Sequence, residues 1–174
     1  MSAPLYGEDC TVRPFAAHEW PLYRALRLRA LDEAPAAFGS TLAEEAARTD
    51  ADWAWRLNIG ATSGRDRALV AELGRTPVGL AWAKLDTDDA FLANLFQMWV
   101  APEARGHGVA AALLDAALAW ARGTGARTLQ LGVVCGNDPA RRLYERAGFR
   151  DAGEPEPQRP GSGRMEQKMR LRLA

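Results

Sequence analysis

The residues with the clearest chemical meaning form one short loop and the start of the segment after it. They are Arg105, Gly106, His107, Gly108, Val109, Ala110 and Ala111. The apolar residues that follow predict a helix, whose first N–H groups have no intrahelical acceptor and whose dipole favours an anion. Glycine lets the main chain approach such an anion closely, so we predict a site for a phosphate-bearing ligand. The alternative is a plain strand-to-helix turn that needs glycine for its backbone; His107 is expected to be an exposed loop side chain.

A second polar segment, from Asn137 to Phe149, places a tyrosine beside an apolar helical stripe. Asp138 is the predicted N-cap, and the following proline occupies the first helical position. Gly148 supplies the left-handed residue at which the helix ends. The ring of Tyr144 is expected to pack while its hydroxyl reaches a cleft. The alternative is a core tyrosine whose hydroxyl is satisfied inside the protein.

Hydrophobic periodicity predicts the elements that position these two segments. The predicted strands are Asp9–Phe15, Arg67–Leu73, Pro77–Leu85, Ala90–Val100, Thr128–Cys135 and an alternating strand at 164–173. The predicted helices are His18–Leu31, Thr41–Leu57 with a cap near Thr49 or Asp50, Gly106–Arg122 and the helix after Asn137. Residues 60–67 and 154–163 are expected to form loops. Together these elements predict an α/β fold in which a mixed sheet carries helices on both faces.

Composition narrows the class of protein. A chain of 174 residues predicts one domain over 1–174. Net charge is zero, which argues against nucleic-acid binding and a polybasic membrane surface. The chain has no apolar run long enough for a membrane span and no leader pattern, so a cytoplasmic location is expected. Two cysteines and two histidines predict neither a disulfide framework nor a metal site, and Cys135 is expected to be a small buried residue.

The two segments together resemble the GNAT acetyltransferase superfamily. Arg105-x-x-Gly108-x-Ala110 looks like its acyl-CoA pyrophosphate loop, and Asn137 to Phe149 is similar to its second signature. Both motifs in this order make a stronger signal than either alone. The resemblance implies a GNAT-like α/β fold with a mixed central sheet of about six to seven strands. It also implies that the strand ending at Val100 and the strand starting near Thr128 splay apart to admit the cofactor.

The resemblance also implies roles for individual residues. Main-chain groups of Met98, Trp99 and Val100 would hold the pantetheine arm and the thioester carbonyl, although all three also suit a plain core strand. The Asn137 amide would bond the same arm, or else cap a turn. The loop at 105–111 would bind the pyrophosphate. Tyr144 would donate a proton or hydrogen bond to the departing sulfur, whose thiol has a pKa of about 8.5.

The implied function is an acyl-CoA-dependent N-acyltransferase that moves acetyl from acetyl-CoA to a primary amine. The amine would attack directly in a ternary complex, and no metal would take part. The expected partners are acetyl-CoA and an unidentified amine, with neither nucleic acid nor membrane; dimers are common in the family, so a homodimer is compatible. The alternative is a catalytically weak acyl-CoA-binding sensor or scaffold. Its support is the strand at 94–100, which lacks the carboxylate that some relatives carry there.

The base that deprotonates the amine has no obvious candidate. Glu33, Glu44, Glu45 and Asp86 are options through water, although each is better explained as a solvated surface charge. Our hypothesis is that no single side chain deprotonates the amine, and that ordered water leads the proton out, oriented by strand carbonyls and Gln97. Trp53 and Trp55 would either face the acceptor or pack in a core.

Overall fold

The structure is a computed structural model that describes residues 9–174. Its strands are β1 (Cys10–Pro14), β2 (Asp66–Leu73), β3 (Thr76–Leu85), β4 (Leu92–Val100), β5 (Thr128–Val134), β6 (Arg150–Asp151), β7 (Glu156–Pro157) and β8 (Met165–Arg172). Its α-helices are α1 (Trp20–Glu33), α2 (Leu42–Ala46), α3 (Asp50–Thr62), α4 (Val109–Gly123) and α5 (Asp138–Arg146). None of the helices within 9–174 is both long and apolar enough to cross a membrane.

All eight strands form one mixed sheet, in the order β1-β2-β3-β4-β5-β8-β6, with β7 also paired to β8. Among the strands of residues 9–174, only β4 and β5 run parallel to each other. The prediction of a mixed α/β sheet is confirmed. The strand count is slightly higher than expected because the two-residue strands β6 and β7 both add to β8.

Helices cover both faces of the sheet, as predicted. Trp82 on β3 lies against Tyr23 of α1 and against the backbone of α3 at Gly60. Gly79, three residues earlier and so on the opposite face, lies against Val109 and Leu113 of α4. We call these the α1 face and the α4 face. The core fills both, and α4 alone contributes seven buried side chains.

Helix α5 shares the α4 face, which follows from cross-strand pairing. Paired residues point to the same face. Ala83, on the same face as Gly79, pairs with Leu95, and Leu95 pairs with Leu131. Leu171 of β8 belongs to the same row, and the residue that ends α5, Gly148, packs on it. Helix α4 and the C-terminal end of α5 therefore lie on the same side of the sheet.

The two parallel strands pair over half their length and then separate. In the part of the chain that the structure describes, the β4–β5 register runs only from Leu92–Thr128 to Leu95–Leu131. Immediately beyond, β4 has a bulge against β3, with Gln97 at φ 59°. A bulge bends and twists its strand. The predicted splay of these strands is confirmed, and the bulge is its local cause.

Several predicted features of these elements were wrong in detail. Helix α3 continues through Gly60 to Thr62, so the turn expected over residues 60–67 begins only after that. Gly60 serves packing, since a Cβ there would collide with the Trp82 ring. Helix α4 begins at Val109 and not at Gly106, because Gly108 has a left-handed backbone. Cys135 is exposed, not buried, since it lies just past the end of β5.

Gly79 sets how closely β3, β4 and α4 approach each other. A Cβ on Gly79 would lie 2.8 Å from the Trp99 carbonyl oxygen and 3.3 Å from Leu113. We expect Gly79→Ala to lower the free energy of unfolding in urea by about 1–3 kcal/mol, the usual cost of overpacking. Gly123→Ala, in open space at the end of α4, is the matched control and should be neutral or stabilise by up to about 1 kcal/mol. Equal effects of the two changes would contradict this account of the packing.

Candidate functional site

Residues 105–108, which we call the glycine loop, lead from the end of β4 to the N-terminus of α4. A 3₁₀ turn over Pro102–Ala104 follows β4, and then Gly106 and Gly108 adopt left-handed backbones with φ 81° and 76°. The first bond of α4 to this loop runs from the Ala112 N–H to the Gly108 oxygen, 3.0 Å. The three N–H groups before it have no intrahelical acceptor, and they belong to Val109, Ala110 and Ala111. His107 is exposed, and its Nδ1 lies 3.1 Å from two loop carbonyls, as a loop side chain would.

Arg105 ties this loop to β4 and α1. Its Nε donates to the Val100 oxygen at 3.1 Å, and its guanidinium donates to Glu33 at 2.8 Å. Glu33 also accepts from the Trp99 indole at 2.9 Å. Partial burial acts to raise the pKa of Glu33, but the hydrogen bonds from Trp99 and Arg105 outweigh it and leave that pKa lowered. Glu33 is therefore a structural anchor of the loop and a poor proton acceptor.

The part of β4 that leads into this loop has one edge that β5 does not pair. Met98 is half-buried, whereas Trp99 and Val100 are buried. All three come after Leu95, where pairing with β5 ends. The Val100 oxygen is occupied by Arg105, so the edge that remains for a ligand is centred on Met98.

The N-cap of α5 is Asn137, which corrects the prediction of Asp138. Asn137 has a non-helical backbone, and its side-chain oxygen accepts from the Ala140 N–H at 3.4 Å. Asp138 is already helical, which puts Pro139 at the second helical position. The capping alternative for Asn137 is therefore observed. Because the cap uses only the oxygen, the amide nitrogen keeps its donor capacity.

Tyr144 is a buried tyrosine that stays protonated. It is 6% exposed and packs edge-on against Phe149 with ring centroids 5.8 Å apart. Burial alone raises the pKa of Tyr144 to about 12. The hydroxyl is therefore neutral across the physiological range and keeps its capacity to donate a hydrogen bond.

On the α1 face, Tyr23 lies where β4 and β5 separate. This buried side chain donates to the Gln97 side-chain oxygen at 2.8 Å, in the bulge of β4. Trp53 is fully buried and packs edge-on against Tyr23, at 5.6 Å between centroids, so it belongs to the core. Trp55 is 68% exposed. The oxygen of Gln97 is committed to Tyr23, which leaves the amide nitrogen as its free group.

The other carboxylates expected to serve as bases are also engaged. Glu45 is buried and accepts from Arg48 and Arg56 at 2.8 and 3.0 Å. Burial acts to raise the pKa of Glu45, but the two guanidiniums leave it lowered. Backbone N–H groups, first that of Asp88, lower the pKa of Asp86. Glu44 closes a capping box at the start of α2.

Glu166 is a carboxylate that sequence reasoning missed. Alternation along β8 grouped it with the solvent-facing charges, and no motif marks it. The structure places its side chain over Gly132, the first β5 residue beyond the pairing with β4 and on the α1 face. Partial burial, reinforced by Glu156, raises the pKa of Glu166. It is thus a half-buried proton acceptor at the rim of the splay.

Comparison with known proteins agrees with this geometry. A family model described as the acetyltransferase (GNAT) family matches residues 25–149. Mycothiol acetyltransferase of Stackebrandtia nassauensis is 40% identical over 73 residues, which is 41% of this chain and 24% of that protein. The corresponding protein of Propionibacterium freudenreichii subsp. shermanii is 37% identical over 75 residues, again 24% of its length. The matched stretch is thus about a quarter of these curated relatives.

Solved structures share the fold over nearly the whole chain. A GNAT-family acetyltransferase from Streptococcus pneumoniae has a TM-score of 0.79 at 22% identity, covering 95% of this chain and 99% of its own. The putative acetyltransferase yncA from Salmonella typhimurium, solved with its cofactor acetyl-CoA, has a TM-score of 0.78 at 20% identity. That match covers 96% of this chain and 95% of the neighbour.

The glycine loop predicts the effect of a charge placed in it. Gly108→Glu adds a carboxylate and a side chain where a pyrophosphate would lie. We expect the affinity for acetyl-CoA, measured by calorimetry, to fall at least about 100-fold. Gly125→Glu is the matched control, because Gly125 follows the other end of α4 with a similar φ of 85° and open space around it. Unchanged affinity in a folded Gly108→Glu variant would contradict the phosphate site.

Proposed function

This chain belongs to the acetyltransferase (GNAT) family, and we propose that it transfers an acetyl group from acetyl-CoA to a primary amine by direct attack in a ternary complex. The observation that carries the proposal is the splay between β4 and β5. It opens between a helix N-terminus and a protonated tyrosine on the α4 face, and a polar, half-buried surface on the α1 face. A thioester carbon in the gap would be reachable from both faces.

In this proposal the donor occupies the α4 face. The pyrophosphate would accept from the free N–H groups at the start of α4, where the helix dipole favours its charge. The pantetheine arm would run along the free edge of β4 at Met98 and between the splayed strands. The Asn137 amide nitrogen would bond the same arm. The Salmonella neighbour, which holds acetyl-CoA, supports this choice of donor.

Tyr144 would act on the leaving sulfur. Its pKa of about 12 lies roughly 3.5 units above that of a thiol, so full proton transfer to a thiolate is uphill by about 5 kcal/mol. The hydroxyl is therefore suited to donating a hydrogen bond while the carbon–sulfur bond breaks. A proton that it gives up must be replaced from water or from the amine.

A second candidate function is that of an acyl-CoA-binding sensor or scaffold. The observation in its favour is the absence of a carboxylate along β4. The buried, donor-competent Tyr144 favours an enzyme, since binding alone does not need it. Measured release of CoA thiol with a panel of amines, above the rate of hydrolysis, separates the two functions.

Removal of one hydroxyl tests the role of Tyr144. Tyr144→Phe keeps the ring that packs on Phe149. We expect kcat to fall by roughly 10²-fold, the scale of a single general acid, while calorimetric affinity for acetyl-CoA stays within about twofold. If kcat with a good acceptor equals that of the wild type, Tyr144 serves packing only.

The proton path predicts a pH profile and a ranking of carboxylates. The amine must be free to attack, so kcat/KM should rise with pH and should not fall again below about pH 10, because Tyr144 keeps its proton there. In place of a route through water alone, we now expect the proton to leave through water to Glu166, whose position at Gly132 and raised pKa suit this role. Glu166→Gln should lower kcat/KM at least about tenfold, whereas Glu44→Gln and Asp86→Asn should each leave it within about twofold. A larger loss from either control variant would refute this path.

A further inference from the structure

The α1 face holds an unusual set of polar atoms. Within residues 9–174, five buried side-chain atoms have no hydrogen-bond partner: Arg24 Nε, Arg27 Nε, Arg27 Nη1, Trp53 Nε1 and Gln158 Oε1. All lie on α1, on α3 or in the loop that precedes β8. Four of the five are N–H donors. Buried polar groups are nearly always paired, so a cluster of donors without acceptors indicates a site for an acceptor-rich ligand.

Arg27 is the only charged residue of this set that is almost fully buried. It is 3% exposed, and its guanidinium lies 4.8 Å from the centre of the Phe38 ring. The nearby carboxylate, Glu45, bonds Arg48 and Arg56 instead. Burial lowers the pKa of Arg27, but a guanidinium stays protonated in proteins. Positive charge is therefore in excess in a desolvated place, where only an added anion would balance it.

The position of Arg27 connects it with the splay. It lies one helical turn after Tyr23, which bonds Gln97 in the bulge of β4. The loop that carries Phe38 is tied down by Arg159, which donates to the carbonyls of Phe38 and Gly39 at 3.1 and 3.2 Å. The adjacent 3₁₀ turn, Pro35–Ala37, contacts β5. Arg27 thus lies one helical turn from the residue that bonds the β4 bulge, and it contacts a loop whose neighbouring turn touches β5.

We infer that the acceptor amine carries a carboxylate, which Arg27 binds while the amine points toward the opening between β4 and β5. The inference rests on the proposed acetyl transfer and names its acceptor class: small amino carboxylates such as amino acids. A planar carboxylate matches the guanidinium in shape and charge. Polycationic amines would add to the excess of positive charge.

The acceptor class is tested with matched pairs. The twenty L-amino acids and their amides are offered to the wild-type protein with acetyl-CoA, and release of CoA thiol is measured. We expect kcat/KM for the preferred amino acid to exceed that for its amide at least about 100-fold, because the amide leaves a buried charge unpaired. Equal use of the amide, or preference for spermidine or histamine, overturns the inference and leaves acetyl transfer standing. If acetyl-CoA binds and no amine in any set is acetylated, the proposed function fails and the inference fails with it.

Substitutions at Arg27 separate binding from structure. Arg27→Gln should raise KM for the preferred amino acid about 10- to 100-fold, leave its amide little changed and leave the Kd of acetyl-CoA unchanged. Arg27→Lys should recover part of the loss. Arg122→Gln, an exposed arginine near the end of α4, is the control and should behave as the wild type. Equal losses for acid and amide acceptors would mean a structural role and overturn the inference.

Stability gives an independent measurement. Without ligand, Arg27→Met should have a higher Tm than the wild type, since it removes a buried charge with no partner. In the wild type, the preferred amino acid should raise the Tm in the presence of CoA, and its amide should not. A lower Tm for Arg27→Met together with equal stabilisation by acid and amide would overturn the inference. The ligand comparison needs no variant, so it decides the matter even if the substitutions fail to fold.

Discussion

The end of β4–β5 pairing at Leu95 and Leu131 is the constraint on which the rest of the site depends. A central strand of a sheet normally satisfies both of its edges, and an unpaired edge is costly when buried. Here β3 holds β4 through the bulge at Gln97, while β8 holds β5 along its whole length. Because each strand is held by its outer neighbour, β4 and β5 cannot pair beyond Leu95 and Leu131, and the gap between them is maintained. The main chain around Met98 is thereby kept as an edge in the middle of the sheet.

The gap gives two faces of one sheet access to the same point. On the α4 face, the glycine loop, anchored through Arg105, brings unpaired N–H groups to the end of β4. Tyr144 belongs to that face. On the α1 face, Tyr23 and Glu166 flank the gap from α1 and from β8. A donor and an acceptor can therefore enter from opposite sides, without competing for one surface, and this arrangement suits transfer in a ternary complex.

The sequence predicts the acetyl-CoA side of the gap better than the amine side, because the acetyl-CoA side is built from local signals. Glycine at a left-handed position, a capped helix and an alternating strand are local signals, so the glycine turn before α4, helix α5 and β8 were predicted, although α4 begins later than Gly106. Even there, the choice of Asn137 over Asp138 as N-cap depended on a backbone angle that composition does not reveal. The bulge at Gln97 has no local signature, because glutamine rarely adopts a positive φ. The burial of Arg27 and the position of Glu166 follow from strand order and helix packing, which only the folded chain displays.

The distribution of unsatisfied groups separates scaffold from site in this protein. Other buried polar side chains are paired: Asp66 accepts from the Trp82 indole at 2.8 Å, and Gln167 donates to the Gly153 and Lys168 oxygens at 3.1 and 2.9 Å. The unpaired buried atoms occur instead on the elements that cover the α1 face. Random imperfection would scatter them over both faces of the sheet. They are concentrated on one side of the gap, and most of them are donors. Unpaired buried donors lower stability, and a bound anionic molecule would restore it. Such a local loss of stability is the expected pattern for a binding surface.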